Sequence, residues 1–165
     1  MGTAAIELKH ITKTFGSVVA NKDVCLTVNR GEILSILGEN GSGKTTLMNM
    51  ISGIYFPDHG TILIDGKEVL IKSPKDAFQY KIGMIHQHFK LVDVFTAAEN
   101  IVLGAEQLEG KGFNMKKSAR RIGEIARQYG FDIDPNKKIY EMSISEKQTV
   151  EIIKVLYRGD VMMFV

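Results

Sequence analysis

The sequence has little of several features that mark large classes of protein. It contains a single cysteine, which cannot form an internal disulfide, so a secreted fold held by disulfides is excluded and a reducing compartment is favoured. Its net charge is only +2, from 21 Lys and Arg against 19 Asp and Glu, and nucleic acid is therefore not expected as the main ligand. Its longest apolar runs span about five residues, against the roughly 20 of a membrane helix. We expect a cytoplasmic domain.

What remains is the composition of an ordinary globular domain. Apolar residues make up 44% and charged residues 24% of the 165 residues, which excludes disordered and fibrous classes. A chain of this length can bury one core. The sequence ends in a run typical of a buried strand, Asp160–Val165, and we expect this end to be a cut within a longer natural domain.

The spacing of apolar residues predicts strands first and helices later. Strands are predicted around 6–8 and 24–28, at 32–37 (EILSIL) and at 81–85. A hairpin over 61–71 is expected to turn at Asp65-Gly66. Helices are predicted at 44–52, 97–104, 116–129 and 146–157. This order predicts an α/β core with a helical insertion.

A glycine-rich loop provides the first chemical motif. Residues 38–45, GENGSGKT, match G-x-x-x-x-G-K-[ST], with a predicted strand before them and a predicted helix after them. Glycines let backbone N–H groups approach phosphate oxygens, and the helix directs its positive end at the same anions. Lys44 can then reach the β- and γ-phosphates, and Thr45 can ligate Mg²⁺. The motif predicts a nucleotide phosphate site, while transporter ATPases, GTPases, small kinases and motor proteins all stay open.

Three further stretches make the sequence resemble the ATP-binding subunit of an ABC transporter. The first is Phe15, ahead of the loop; the second is 82–89, IGMIHQHF, followed by TAAENI; the third is 142–148, MSISEKQ. These motifs cover nearly the whole chain in the order of that family. The resemblance implies an α/β fold: a P-loop NTPase core (RecA-like) with an antiparallel β subdomain and a helical insertion, the C-terminal strands being missing from this sequence.

The resemblance also implies roles for these residues. Phe15 would stack on adenine, and Gln87 would contact Mg²⁺ or the attacking water and sense the membrane partner. Ser143 and Ser145 would face the γ-phosphate of a nucleotide held by an opposite domain, where a helix N-terminus also offers N–H groups. Ser145 stands where the family has glycine, which leaves open whether this half-site fully supports hydrolysis.

The predicted site combines the loop with these stretches. Lys44 and Gln87 are the expected catalytic residues, and Thr45 and Gln87 are the expected Mg²⁺ ligands. The residues expected to bind ATP are Phe15, Gly38, Asn40, Gly41, Ser42, Gly43, Lys44, Thr45, Thr46, Ser143 and Ser145.

Within that family, the stretches 86–96 and 151–159 make the sequence similar to the first ATP-binding half of importers for simple sugars or nucleosides. This similarity implies ATP and Mg²⁺ as cofactors, and a second ATP-binding domain and integral-membrane permease subunits as partners. It also implies a place at the cytoplasmic face of the membrane. The expected division is a β-rich nucleotide-binding core at 1–95, a helical subdomain at 96–158 and the start of the Walker B strand at 159–165.

Two alternatives to an active transporter ATPase remain. One is a non-catalytic nucleotide-binding or regulatory remnant, which is favoured by Ser145 and by the absence of the Walker B Asp and catalytic Glu from the sequence. For the same reason we expect the 165 residues alone not to hydrolyse ATP measurably. The other is a small P-loop kinase, which the segment at Ser143 argues against.

Overall fold

The computed structural model describes residues 4–85, 89–105 and 114–159, and the backbone of 162–164. The chain forms two compact units, Met1–Ile82 and Gly83–Val165. In the described part of the chain, every helix is too short or too polar to cross a membrane.

The first unit is built on a four-stranded antiparallel sheet in the order β2-β1-β3-β4. Its strands are β1 Ala4–Phe15, β2 Val18–Asn29, β3 His59–Ile64 and β4 Lys67–Val69. The predicted alternation in β1 is confirmed, because Ile6 and Leu8 are both 2% exposed. The predicted hairpin is also confirmed: Asp65 and Gly66 join β3 to β4 with φ of 49° and 74°, the left-handed pair that a tight hairpin turn needs.

Two helices complete the described part of this unit. Helix α1, Lys44–Ile51, confirms the helix predicted after the glycine-rich loop, and Ser52 forms its C-cap. Helix α2, Pro74–Gln79, is absent from the prediction. It begins at a strong local signal, because the Ser73 hydroxyl accepts a hydrogen bond from the Asp76 N–H and Pro74 occupies the first helical position. The helix is short, so it offers no apolar periodicity.

The strand predicted at 32–37 is wrong for this structure. Residues 32–40 form no strand, and Ile33 and Leu37 are 96% and 91% exposed. A strand requires a neighbouring strand to bond its N–H and C=O groups. None of the described strands pairs with this segment, so its apolar residues stay in contact with solvent.

The described part of the second unit contains three helices and one strand pair. Strand β5, Ile82–Met84, pairs with β6, Met162–Phe164, and confirms both the strand predicted near 81–85 and the one predicted near the end of the sequence. The helices are α3 Ala97–Val102, α4 Met115–Tyr129 and α5 Ile144–Arg158, with a 3-10 turn at Ile139–Glu141. All three helices agree with the predicted segments. Their buried faces form one core that includes Ile101, Ile122, Ile139, Val150, Ile153 and Tyr157.

Candidate nucleotide-binding site

The glycine-rich loop leads directly into α1. Gly41 and Gly43 have φ of 85° and 87°, values that side chains rarely tolerate. Gly43 is also crowded, because a Cβ there would collide with the Ala20 carbonyl oxygen and lie 2.8 Å from the Asn21 amide nitrogen. The space at Gly38 is less restricted, since its Cβ would come 2.8 Å from the Ser42 hydroxyl, which belongs to a side chain that can rotate. Glycine is therefore required at Gly41 by conformation, and at Gly43 by both conformation and space.

The Lys44 side chain folds back over the loop that precedes it. Its ammonium group donates to the carbonyl oxygens of Gly38 and Glu39 at 2.6 and 2.8 Å and to the Ser42 hydroxyl at 3.2 Å. The three contacts match the three hydrogens of the group. This arrangement holds a positive charge inside the curve of the loop.

The N-terminus of α1 is suited to an anion. Gly43 caps the helix without a side-chain hydrogen bond, and the first turn contains no acidic residue. The positive end of the helix dipole is therefore not neutralised from within the helix. Thr45 and Thr46 lie in this first turn, and Thr45 and Asn40 are exposed. The predicted phosphate-binding residues are thus brought together, and their chemistry fits a polyphosphate.

Asn21 supports the loop from β2, a role that sequence reasoning missed. Its amide nitrogen donates to the Gly43 carbonyl at 3.3 Å, and the residue is 7% exposed. Its amide oxygen is buried without a partner among the described residues. The sequence contains no signal for this role, because position 21 lies outside the strand predicted around 24–28 and nothing in the sequence links it to the loop.

Phe15 lies at the end of β1, with its ring exposed. The Tyr55 ring packs against it in a T-shaped arrangement, with ring centroids 5.1 Å apart at 70°, and the Lys13 ammonium lies 5.4 Å from the Phe15 centroid. Tyr55 is tied to α1, because its N–H donates to the Asn49 carbonyl at 3.1 Å. The aromatic predicted to stack on adenine is therefore accessible and anchored beside the helix that follows the loop.

Asp58 holds the end of β1 in place. Its carboxylate accepts from the Lys13 ammonium at 2.8 Å and from both the N–H and the hydroxyl of Thr14 at 2.7 Å. The hydrogen bond from Lys13, followed by those from Thr14, holds the pKa of Asp58 well below its usual range. This network fixes the backbone directly before Phe15, and the sequence offered no sign of it.

Ser143 is the N-cap of α5 in the second unit. Its hydroxyl accepts from the Glu146 N–H at 3.3 Å, and the Glu146 carboxylate accepts from the Ser143 N–H at 2.7 Å, which completes a capping box. Hydrogen bonds from Lys137 and then from Ser143 lower the pKa of Glu146 to about 2. Ser143, Ile144 and Ser145 are all exposed. The segment expected to meet a γ-phosphate is therefore a solvent-facing helix start.

Gln87, the remaining predicted site residue, lies outside the described residues. Within the described ranges, no group of three His, Cys, Asp or Glu side chains could hold a metal ion.

Fold and loop together define a P-loop nucleotide-binding domain of the α/β class, with an antiparallel β subdomain and a helical insertion. The family model described as "ABC transporter" matches residues 21–165, most of the chain. The chain belongs to this family.

Curated relatives give the same assignment. The chain is 45% identical over 160 residues to a nucleoside import ATP-binding protein, NupA, of Lactococcus lactis, and 45% identical to a guanosine import ATP-binding protein, NupO, of Bacillus subtilis. It is 40% identical to a ribose import ATP-binding protein, RbsA, of Caldanaerobacter subterraneus. The matches cover 96%, 96% and 92% of this chain but only 32%, 31% and 31% of the relatives. The chain thus spans about a third of their length.

Solved structures agree with the fold. A nucleotide-free ATP-binding cassette from an ABC transporter superimposes with a TM-score of 0.81 at 26% identity, over 97% of this chain and 67% of that one. A cassette described in its ADP conformation gives a TM-score of 0.80 at 27% identity, with the same coverage. A dimeric bacterial ABC transporter cassette gives 0.78 at 28% identity, over 96% of this chain and 72% of that one. The predicted fold class is confirmed.

Proposed function

We propose that this chain is the nucleotide-binding part of an ATP-hydrolysing subunit that powers import of a small solute, a simple sugar or a nucleoside, through a membrane permease. ATP with Mg²⁺ would bind at the glycine-rich loop, with Lys44 on the phosphates, Thr45 on Mg²⁺ and Phe15 on the base. The names of the similar proteins, which are import ATP-binding proteins for nucleosides and ribose, support the solute class.

The observation that carries the proposal is the environment of Lys44. Its ammonium is held by the Gly38 and Glu39 carbonyl oxygens at the N-terminus of α1, which has no side-chain cap. A polyphosphate would exchange these neutral acceptors for anionic oxygens, which are better partners for an ammonium group. The exposed Phe15 ring then provides a face for the base.

The partners belong to the same proposal. Ser143 and Ser145 would face nucleotide on a second ATP-binding domain, and a dimeric cassette among the structural matches supports this arrangement. The region of Gln87 would meet the permease at the cytoplasmic face of the membrane. The division into a nucleotide-binding core to residue 95 and a helical subdomain after it is part of the proposal. Because the Walker B Asp and catalytic Glu are not among the 165 residues, we propose that these residues alone do not hydrolyse ATP measurably.

Binding of a fluorescent ATP analogue tests the phosphate site. Lys44→Ala should abolish detectable binding, because it removes the charge on the phosphates. Lys67→Ala, which removes an exposed lysine of β4 in the same unit, should leave the affinity within about twofold. Equal affinities for Lys44→Ala and the unaltered chain would contradict the proposal.

Phe15→Ala tests the position of the base. Loss of one stacked base is worth about 1–3 kcal/mol, so affinity should fall roughly tenfold or more, and equally for ATP and ADP. Tyr140→Ala, at an exposed aromatic of the second unit, is the control. An effect on ATP that is absent for ADP would place Phe15 at the phosphates instead.

A second candidate function is a nucleotide-binding half-site without catalysis. The observation that favours it is the start of α5. Ile144 and Ser145 stand at the two positions that are usually glycine in the ABC family stretch that 142–148 resembles, and both expose side chains in place of bare backbone. Ser145→Gly, made in the complete subunit, distinguishes the two functions. A marked gain in ATP hydrolysis would identify the natural site as degenerate, and an unchanged rate supports an active one.

A further inference from the structure

The segment Lys90–Val92 of the second unit is held to two helices through its backbone. It has no regular secondary structure, and the side chains of Lys90 and Val92 are exposed. The Lys90 N–H donates to the Glu151 carboxylate at 3.0 Å, and the Lys90 carbonyl accepts from the Lys154 ammonium at 3.4 Å. Glu151 and Lys154 both belong to α5, so this one helix binds both the backbone N–H and the backbone C=O of Lys90.

Asn100 of α3 does the same for the other end of the segment. Its amide oxygen accepts from the Val92 N–H at 2.7 Å, and its amide nitrogen donates to the Val92 carbonyl at 3.0 Å and to the Thr96 carbonyl at 3.0 Å. Asn100 is 0% exposed. The segment is thus fixed to α3 and α5 together.

Glu151 is an unusual residue for this position. It is 4% exposed, on the face of α5 that also buries Val150 and Val155. A carboxylate is costly to bury unless hydrogen bonds compensate it, and packing alone would be served by an apolar residue. Burial also lowers the pKa of Lys154, while the charge of Glu151 acts in the opposite direction. The described bond that this buried carboxylate forms is the one to Lys90.

The contact between Lys90 and Glu151 joins two parts of the chain that contain predicted site residues. Lys90 follows three residues after Gln87, and Glu151 lies on the helix that Ser143 caps. We propose that Glu151, with Lys154, is a positioning residue that makes the chain following Gln87 and the helix carrying Ser143 move as one body. The functional part of this proposal rests on the ATPase function proposed above, whereas the structural part does not.

Amide hydrogen exchange tests the structural part directly in this chain. Since the side chain of Lys90 is exposed, its amide depends on Glu151 for protection, and Glu151→Ala should accelerate its exchange about tenfold. Glu151→Gln keeps an acceptor oxygen and should stay within about threefold of the unaltered chain. Glu141→Ala, at an exposed glutamate, is the matched control and should change nothing at Lys90.

Folding is monitored by the amide of Val155 in α5. If Glu151→Ala also exposes that amide, the comparison is made with Glu151→Leu, which fills the buried volume without an acceptor. Unchanged exchange at Lys90 in a folded variant lacking the acceptor overturns the proposal. So does a Gln variant that exchanges as fast as the Ala variant.

The functional part is tested in the complete subunit assembled with its permease. Glu151→Ala should lower the permease-stimulated kcat for ATP about tenfold, with KM changed less than about twofold, because a buried side chain that bonds Lys90 offers no surface for nucleotide. Glu151→Gln should restore at least about half of the rate. A rise in KM with unchanged kcat overturns the positioning role.

Lys44→Ala separates this proposal from the proposed function. It should abolish nucleotide binding and leave the exchange of the Lys90 amide unchanged. If the unaltered subunit neither binds nor hydrolyses ATP, the proposed function fails while the exchange measurements still decide whether Glu151 holds Lys90.

Discussion

At the scale of single residues, the glycine-rich loop contains two positions, 41 and 43, at which glycine is required for different reasons. Gly41 and Gly43 share a φ near +86°. A Cβ at Gly41 would meet nothing within 4 Å, whereas one at Gly43 would meet Ala20 and Asn21 of β2. The pair therefore separates backbone strain from steric collision within one loop.

Alanine substitution at these two positions should have unequal costs. Gly41→Ala should lower the free energy of unfolding by about 1–2 kcal/mol through its left-handed backbone alone. Gly43→Ala adds a collision with backbone that cannot rotate away, so we expect a further loss of about 1–3 kcal/mol and a larger loss of nucleotide affinity. Urea unfolding and nucleotide titration of both variants measure the difference. Equal stabilities would show that β2 yields to the added methyl group.

At the scale of elements, two helices of the second unit begin with the same device. Thr96 with Glu99 forms a capping box at α3, as Ser143 with Glu146 does at α5. A backbone hydrogen bond from Thr96 is the main cause that lowers the pKa of Glu99. The carboxylate of each box is thus stabilised by the helix start that it completes.

The capping box of α5 should weaken in acid. The pKa of Glu146 is lowered from 4.5 to about 2, so its ionised form stabilises the fold above pH 4.5 and loses this effect as the pH falls through about 2. The difference in unfolding free energy between the unaltered chain and Glu146→Gln should therefore be positive at pH 6 and shrink toward pH 2. Urea unfolding over that range measures it.

Lys137→Met provides the matching test, because Lys137 donates to Glu146 at 2.6 Å and is the largest cause of the shift. The difference in unfolding free energy between the unaltered chain and Lys137→Met should shrink over the same pH range. A difference for Glu146→Gln that stays constant from pH 6 to pH 2 would show that the carboxylate contributes nothing through its charge.

At the scale of the whole molecule, the main irregularity is the exposed apolar segment Ile33–Leu37. Within the described residues it pairs with no strand, although its sequence has the pattern of one. A segment with unpaired backbone N–H and C=O groups and exposed apolar side chains favours association with another chain.

We therefore expect the 165-residue chain to self-associate at micromolar concentration. The double substitution Ile33→Ser and Leu37→Ser should shift it toward monomer in sedimentation velocity, because it removes the two most exposed apolar side chains of the segment. Ile144→Ser, at an exposed apolar residue of the second unit, should not. A monodisperse monomer of the unaltered chain would disprove this prediction.

The sequence by itself determined the features that depend on neighbours in the chain. The glycine-rich loop, the Asp65-Gly66 turn and the helix that begins at Lys44 are local patterns of conformation and periodicity, and each agrees with the structure. The family was indicated by the resemblance of Phe15 and of the stretches 82–89 and 142–148 to ABC transporter ATP-binding subunits. The cap of α2 at Ser73 was equally local, but its six residues were too few to show a period.

Only the tertiary structure decided what depends on distant residues. Asn21 reaches Gly43, Asp58 holds Thr14, and Glu151 binds Lys90 across 22, 44 and 61 positions of the chain. The strand predicted at 32–37 failed for the same reason: its pattern was right, but a strand forms only where another strand bonds it. Such contacts depend on which distant segments the folded chain brings together, and a local sequence pattern contains no information about that.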